Sequence, residues 1–410
     1  MEYSNLSLIV LFVLTSFVLT AETHIVYGRK ASTSTREKED VKLERQLQIL
    51  NKKPIKSIMT KYGDTIDCIN IHKQPAFDHP LLKDHKIQMV PSSFSKDTSN
   101  KNISTTIFRD SKINNGFENK RCPLGTISIR RTKKEDLVNA QSLLRKADQI
   151  RSNAYTLSHM NHHFVSVEEL SEGKTYFGGA ANMSIHGLEL TSGEFSTSQI
   201  WIQNGRSEKL NSIEFGWMAY PTLFGDNSSR LFGYWTADGS RQTGCFNMLC
   251  PGFVQVHSDI SFGADFDPIS VYGEDAWVVS FQVHQDLRTG NWWLTVDDMN
   301  IGYWPKEIFT HLADNASVIR YGGIAGAKSQ MPTPPMGNGY LPQLQDFLKT
   351  AYMTRMKYAD EKGQFVNINP YGVQTKKDTT SDCYNILFAG NLGSDWEISM
   401  AFGGPGGMCP

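Results

Sequence analysis

The sequence predicts an all-β protein of antiparallel sheets, preceded by a small α+β segment. From about Tyr176 onward, short segments rich in Ile, Val, Phe, Tyr and Trp alternate with turns that contain Gly, Asn or Asp. These turns recur at fairly even spacing, as at Asn204-Gly205 and Asp238-Gly239. Few segments after residue 165 have helical periodicity. Many short strands with evenly spaced turns are typical of a β-sandwich or a β-barrel.

The predicted strands are SQIWIQ (198–203), SIEFGWM (212–218), RLFGYWT (230–236), GFVQVH (252–257), AWVVSFQVHQ (276–285), NWWLTVDD (291–298) and VIRYGGIAG (318–326). Residues 306–317 and 341–353 have helical periodicity and are predicted helices. In SIEFGWM, alternation places Ile213, Phe215 and Trp217 on one face of the strand and Glu214 on the other. Glu214 therefore faces either solvent or a cleft.

The first residues predict the compartment. Residues 6–19 form a mostly apolar run, followed by the small residues Thr20 and Ala21. The run is too short to span a bilayer comfortably and has the form of a secretory signal peptide. We therefore predict a signal peptide over residues 1–21 and a secreted, extracellular protein (cell wall or apoplast in a plant), with no membrane attachment after cleavage.

The region after the signal peptide predicts a pro-segment. It begins with an amphipathic helix around 41–50, continues through a Pro-punctuated tract and a polar loop (92–119), and ends in a strand and a helix from Cys122 to about Ile150. A linker follows at 152–163. The predicted divisions are the signal peptide 1–21, a pro-segment with its linker 22–155, and a β-domain 156–410.

The predicted pro-segment and the predicted β-domain carry opposite net charges. Residues 22–150 carry 25 Lys and Arg against 15 Asp and Glu, a charge of +10, whereas residues 151–410 carry 16 against 26, a charge of −10. This asymmetry predicts that the pro-segment is held partly by complementary fields; chance drift in composition is the alternative. The net charge of −1 gives no reason to expect nucleic acid or an anionic membrane as a partner.

Six cysteines in an oxidising compartment indicate disulfides, although six cysteines allow 15 pairings. Local pairing is the simplest solution and gives Cys68–Cys122, Cys245–Cys250 and Cys383–Cys409. The sequons at Asn102, Asn182, Asn227 and Asn315 are candidate glycosylation sites.

Long motifs rich in Trp, Cys and Gly resemble the catalytic domain of the neprosin family, whose members are glutamic endopeptidases. The matching stretches are GEFSTSQIWI (193–202), LNSIEFGW (210–217), LFGDNSSRLFGYWTADG (223–239), TGCFNMLCPGFVQ (243–255), GNWWL (290–294), IGYWP (301–305) and GGPGGMC (403–409). Upstream, 67–88 and 122–137 resemble the family's activation peptide. The resemblance covers nearly the whole chain after the signal peptide.

The resemblance implies a sandwich of two antiparallel sheets with a substrate cleft, made as a zymogen. It also implies two catalytic glutamates and cleavage after proline at acidic pH. The first glutamate maps onto Glu214. The second is expected directly after a Gly-Gly pair, where this chain has Ile324. Because isoleucine can neither accept nor donate a proton, the resemblance predicts a peptidase that is impaired or inactive.

Two hypotheses remain open at this point. The chain is either an acid peptidase, in which Ile324 is tolerated or another carboxylate replaces the missing one, or a non-catalytic extracellular protein that binds peptide or glycan. Trp217 and Tyr321 are candidate cleft residues. The predicted partners are a peptide or protein ligand, for which the resemblance implies a proline, and the chain's own pro-segment. His159, His162 and His163 lie in the predicted linker without a matching Cys or carboxylate ligand, so no metal or other cofactor is predicted; a pH-sensitive contact is the better interpretation of these histidines.

Overall fold

The structure, a computed structural model, describes residues 38, 40–92, 109–114, 116, 120–144, 160–169 and 173–410. The predicted signal peptide, Asn102, His159 and the proposed boundary at residue 155 lie outside the described residues. The chain divides into two units, 1–49 and 50–410. Helix α1 covers 40–50. None of the helices in the described parts of the chain is long and apolar enough to cross a membrane.

The pro-region has the α+β character that its sequence predicts. Its elements are β1 (Lys56–Met59), β2 (Thr65–Asn70), β3 (Arg109–Asp110), β4 (Lys112–Asn114), β5 (Thr126–Arg130) and α2 (Lys134–Leu144). Strands β1, β2 and β5 form a small antiparallel sheet in that order. The disulfide Cys68–Cys122 links β2 to the segment before β5.

The rest of the chain is almost entirely β. Its elements are β6 (Met160–Glu169), β7 (Gly178–Ser184), β8 (Phe195–Asn204), β9 (Asn211–Ala219), α3 (Pro221–Phe224), β10 (Arg230–Thr236), β11 (Cys245–Phe246), β12 (Val254–Gln255), β13 (Asp265–Asp267), β14 (Trp277–Gln285), β15 (Trp292–Val296), β16 (Met299–Trp304), β17 (Val318–Lys328), β18 (Ala351–Ala359), β19 (Phe365–Asn367), β20 (Val373–Lys377), β21 (Asn385–Asn391) and β22 (Ile398–Gly403).

These strands form the predicted sandwich. Among the described residues, one sheet has the order β20-β6-β17-β8-β9-β10-β13-β4 with β11 beside β10, and the other has the order β12-β16-β15-β14-β7-β18-β22-β21 with β19 and β3 at its margins. Phe215 and Trp217 of the first sheet join Phe281 and Met353 of the second in one buried cluster. Alternate side chains point inward from both sheets, so the core is a layer between them.

The pro-region supplies strands to both large sheets. Strand β3 pairs in parallel with the start of β14, and β4 pairs with β13 in antiparallel register. Residues 109–114 were predicted to be part of a polar loop, and this prediction was wrong. Their strand geometry depends on hydrogen bonds to a neighbouring backbone, which side-chain composition does not reveal.

Three further predictions require correction. Residues 306–317 contain only a short 3₁₀ turn at Lys306–Ile308, and residues 341–353 form a 3₁₀ turn at Phe347–Lys349 followed by β18. Sheet pairing overrides the helical periodicity at 351–353. The predicted linker ends early, because β6 begins at Met160.

All three predicted disulfides are present. Besides Cys68–Cys122, Cys245–Cys250 closes the loop at β11, and Cys383–Cys409 joins the segment before β21 to the C-terminal residues. Each bridge lies within one region of the chain, as local pairing predicts.

Candidate active site

The register of the nine-stranded sheet places Glu214 in a row of residues that lie opposite one another. We call the side of this sheet that points away from the core the Glu214 face. The row on this face runs Tyr234, Glu214, Trp201, Arg320, Glu168 and Gln374 across β10, β9, β8, β17, β6 and β20. The alternation predicted for β9 is confirmed, since Ile213, Phe215 and Trp217 are fully buried in the core.

The next row on the same face includes two glycines and a serine. It runs Phe232, Gly216, Gln199, Gly322, Ser166 and Lys376. A third row includes Met218, Thr197, Ile324 and Phe164. Because Gly216 and Gly322 have no side chains, this middle row lies lower than a polar row that contains Glu214 on one side and a mainly apolar row on the other, and we call the strip between those two rows the groove.

Two glycines in the floor allow the strands to approach closely. A Cβ atom on Gly216, whose φ is 153°, would lie 2.1 Å from the carbonyl oxygen of Ser198. A Cβ atom on Gly322 would lie 1.9 Å from the carbonyl oxygen of Val165. No side chain fits at these distances, so the spacing of β8, β9, β17 and β6 beneath the groove requires glycine at both positions.

The carboxyl group of Glu214 is held by two neutral donors. Gln199 Nε2 donates to Oε2 at 2.8 Å, and Ser212 Oγ donates to Oε1 at 3.2 Å. The residue is partly exposed, but protein atoms surround the carboxyl group, and this loss of hydration raises its pKa from 4.5 to about 7. The hydrogen bonds and the charge of Arg320 oppose this shift.

The raised pKa predicts a specific pH dependence of stability. Because the folded-state pKa of Glu214 lies above its unfolded value, this carboxyl group favours folding most below pH 4.5, and the advantage is lost as pH rises through 7. Glu214→Gln removes the titration while keeping a similar shape. We expect equal melting temperatures for variant and wild type near pH 4, and a variant more stable by about 1–3 kcal/mol at pH 8. Parallel thermal melts of the two proteins across this range, at constant ionic strength, test the prediction; a difference independent of pH would contradict it.

The register places Ile324 and Glu214 in different rows of the same face. The two residues are two strands apart and four residues apart along the strands, which places their α-carbons about 16 Å from each other in an ideal sheet. The residue of β17 in the same row as Glu214 is Arg320, and its charge is near enough to lower the pKa of Glu214. Arg320 is thus the residue of β17 in the row of Glu214, with Trp201 of β8 between them, and Ile324 stays the predicted position of the second glutamate.

Arg320 belongs to an ion cluster with Glu168 and Lys376. Arg320 Nε and Lys376 Nζ both lie 2.7 Å from Glu168 Oε2. Glu168 is therefore a carboxylate held by two cations on the far side of Arg320 from Glu214. Sequence reasoning missed this cluster because its members come from β6, β17 and β20, and only the register shows that they are neighbours.

The prediction that Trp217 and Tyr321 line the cleft was wrong. Both side chains are fully buried between the sheets. Trp217 Nε1 donates to the carbonyl oxygen of Ser184 at 3.0 Å, and the Tyr321 hydroxyl donates to that of Lys357 at 2.7 Å. Strand alternation places them on the opposite face from Glu214 and Arg320, so both are core residues.

The remaining candidates lie apart from Glu214. His162 and His163 are consecutive residues of β6, so alternation directs them to opposite faces; His163 is buried, with Nδ1 3.5 Å from Asp378. Asn182 lies within β7, Asn227 accepts a hydrogen bond from the backbone of Leu190, and Asn315 is partly exposed. Glycosylation at these positions stays a prediction.

Comparison with known proteins identifies two family regions. The neprosin family model matches residues 192–405, and the neprosin activation peptide model matches residues 57–171. Together the two models cover most of the sequence.

Similar solved structures include two peptidases and a lectin. Scytalido-glutamic peptidase with a peptide-based transition-state analogue is 10% identical over 60% of this chain and 98% of its own, with a TM-score of 0.34. SCP-B, an eqolisin-family peptidase in complex with the tripeptide Ala-Ile-His, is 8% identical over 60% and 98%, with a TM-score of 0.32. The chicken liver agglutinin CG-16 is 10% identical over 40% and 92%, with a TM-score of 0.21. These likenesses are too distant to carry an argument about the site.

The family models match in the order activation peptide and then neprosin domain, and the neprosin match includes Glu214 and the whole of β17. The chain belongs to the neprosin family and includes the family's activation peptide.

Proposed function

We propose that this protein is a secreted, peptidase-like member of the neprosin family, made as a pro-form, which binds proline-containing peptides in the groove beside Glu214 and hydrolyses them poorly or not at all. The observation that carries the proposal is the composition of the row around Glu214. Its neighbours are Tyr234, Trp201 and Arg320, and the next carboxylate in the row is Glu168, which two cations already hold.

The chemistry of amide hydrolysis explains why one carboxyl group is insufficient. Without a metal or a covalent nucleophile, one group must deprotonate water and another must stabilise the oxyanion. With its pKa near 7, Glu214 is protonated in acid and can then donate a proton or a hydrogen bond. A second carboxylate would have to act as the base. Glu168 is not free for this role because one oxygen of its carboxylate is already paired with Arg320 and Lys376.

Turnover by the wild type and Glu214→Gln tests the proposal. The full chain would be expressed through the secretory pathway, acidified, and incubated with a proline-containing peptide, and calorimetry would measure peptide binding separately. We expect binding by the wild type and no more turnover than Glu214→Gln shows. Robust wild-type turnover that Glu214→Gln abolishes would overturn the claim of impaired hydrolysis, and an absence of binding would overturn the claim of a peptide groove.

Contacts between the pro-region and the β-domain support the proposed pro-form. Gln74 Nε2 donates to the carbonyl oxygen of Gln255, and its Oε1 accepts from the Gln255 backbone. Gln88 Nε2 donates to Asp286 at 2.6 Å. The Tyr62 hydroxyl donates to Asp265. Two of these hydrogen bonds are between neutral groups and two have a carboxylate as acceptor, and Arg109 forms an ion pair with Asp275 at 2.6 Å. The difference in net charge is therefore proposed as one contribution to docking among several.

Two half-buried histidines predict how acid affects the contact between the pro-region and the β-domain. His79 packs against Trp235, and His85 Nε2 lies 2.9 Å from the Tyr303 hydroxyl. Burial lowers the pKa of both, while Glu307 partly opposes this shift at His85. Since the docked state disfavours their protonation, docking weakens as pH falls below about 6.5.

We therefore expect hydrogen exchange in residues 71–91 of the full chain, corrected for intrinsic rates, to rise between pH 7 and pH 4.5. The double variant His79→Gln/His85→Gln should show a smaller rise. His72→Gln, at an exposed position in the same segment, is the matched control and should behave like the wild type. An equal pH response in the double variant would show that other groups control release.

A further inference from the structure

We infer that the groove contains a subsite for a carboxylate group of a bound peptide, formed by Arg320 and Lys376 beside Glu214. The inference deepens the proposed function and rests on it, because it concerns the class of peptide that the same groove accepts. Arg320 lies in the polar row, and Lys376 lies one row away, in the floor of the groove.

The ion cluster has two cations, Arg320 and Lys376, for the single negative charge of Glu168. Both cations contact the same oxygen of that carboxylate at 2.7 Å, so the cluster carries a net charge of +1. Neutralising one carboxylate takes one cation. Among the residues that the structure describes, Glu168 is the only ionic partner of Arg320, and the contact uses Nε. The terminal nitrogens of the guanidinium group are therefore available as donors to a ligand.

The two cations are more exposed to solvent than the carboxylate that they contact. The side chains of Arg320 and Lys376 are 30% and 32% exposed, whereas that of Glu168 is 11% exposed. A ligand that enters the groove therefore meets the two cations first. Glu168 fixes their positions from below, which reduces the conformational entropy that ligand binding would otherwise cost.

At acidic pH, Glu214 does not neutralise the excess positive charge of the ion cluster. Its carboxyl group is surrounded by Gln199, Ser212, Tyr234 and Arg320, and it is largely uncharged below pH 7. Under acidic conditions the polar side of the groove thus has one uncharged carboxyl group and an excess cation. The opposite side carries Ile324 and Phe164, both partly exposed.

These features fit a peptide that places a carboxylate on one side of the groove and an apolar side chain on the other. The planar fork of arginine matches the two oxygens of a carboxylate, and such charge-assisted pairs are the stronger hydrogen bonds of proteins. The carboxylate is either an Asp or Glu side chain or the C-terminus of the peptide, and the chemistry at Arg320 is the same in both cases.

Four peptides distinguish these sources. They share a proline-containing sequence and carry either Glu or Gln at one internal position, each with a free or an amidated C-terminus. Calorimetry at pH 5 would measure their dissociation constants with the full chain as wild type, Arg320→Gln, Arg320→Lys and Lys376→Gln. Lys349→Gln, which removes a partly exposed lysine paired with Asp346 at another surface, is the matched control.

We expect peptides with the recognised carboxylate to bind roughly tenfold more tightly than their neutral counterparts, which is the effect of one charge-assisted contact. Arg320→Gln and Lys376→Gln should reduce this preference, Arg320→Lys should retain part of it, and Lys349→Gln should leave it unchanged. Equal binding of all four peptides would overturn the subsite while leaving the peptide groove intact. An absence of binding by all four would overturn the groove itself.

Discussion

Replacing Arg320 with glutamate should give the protein hydrolytic activity at acidic pH that is at least about 10²-fold above the wild type, the usual contribution of a positioned general base. The new carboxylate would lie in the same row as Glu214, two strands away with Trp201 between them, at a position whose charge already changes the pKa of Glu214. Two carboxyl groups that interact closely cannot ionise equally, so one can act as base while the other remains protonated. The measurement is cleavage of a proline-containing peptide by the acid-treated full chain.

Ile324→Glu is the matched control, because it adds the same side chain on the same strand and the same face. It lies four residues farther along β17, so we expect activity at the wild-type level. Arg320→Gln separates the loss of the cation from the gain of a carboxylate, and Glu214→Gln combined with Arg320→Glu should lose the gained activity. Activity in Ile324→Glu with none in Arg320→Glu would show that the sequence resemblance identifies the second position better than the register does.

The sequence predicted the architecture well because strand periodicity is local. Alternation within SIEFGWM was sufficient to place Glu214 on the face away from the core, and short spacings were sufficient to pair the cysteines. The two-sheet arrangement and the activation peptide came from long motifs whose order along the chain agrees with the family models.

Local sequence patterns could not predict which residue of β17 lies in the same row as Glu214. Glu214 and Arg320 are separated by about a hundred residues and by strand β8, so their relation depends on two successive strand registers. If the register between two strands shifts by two residues, every side chain stays on the same face of the sheet but lies opposite a different residue. The periodicity of the sequence is the same in both registers, so it cannot distinguish them. The same reason explains why the cluster of Glu168, Arg320 and Lys376 was missed.

For Trp217 and Tyr321, in contrast, local alternation was sufficient to predict the position, and the cleft prediction disagreed with it. The alternation that exposed Glu214 also placed Trp217 on the apolar face, and the same reasoning applied to β17 puts Tyr321 opposite to Arg320 and Ile324. A large apolar side chain on the inward face of a sandwich strand contributes mainly to the core.

Gly322→Ala should give the largest loss of stability among single-methyl additions to the groove, about 3 kcal/mol, at the upper end of the cost of overpacking. The added Cβ would lie 1.9 Å from the Val165 carbonyl oxygen and 2.9 Å from the Ser166 α-carbon. Both contacts are with the backbone of β6, which cannot rotate away as a side chain can. Relief therefore requires β6 to move, and β6 carries Glu168 and the ion cluster.

Gly390→Ala is the control for conformational strain alone. Gly390 has a φ of 70°, but no atom lies within 4 Å of its Cβ position, so this variant should lose only about 1 kcal/mol from its backbone conformation. Urea unfolding of the full chain would compare the two variants with the wild type. If both lose the same amount, the strands beneath the groove are not closely spaced. If Gly322→Ala loses much more, the same backbone spacing that requires glycine also fixes the positions of Glu168 and Arg320, and the carboxylate preference of the groove should weaken in that variant.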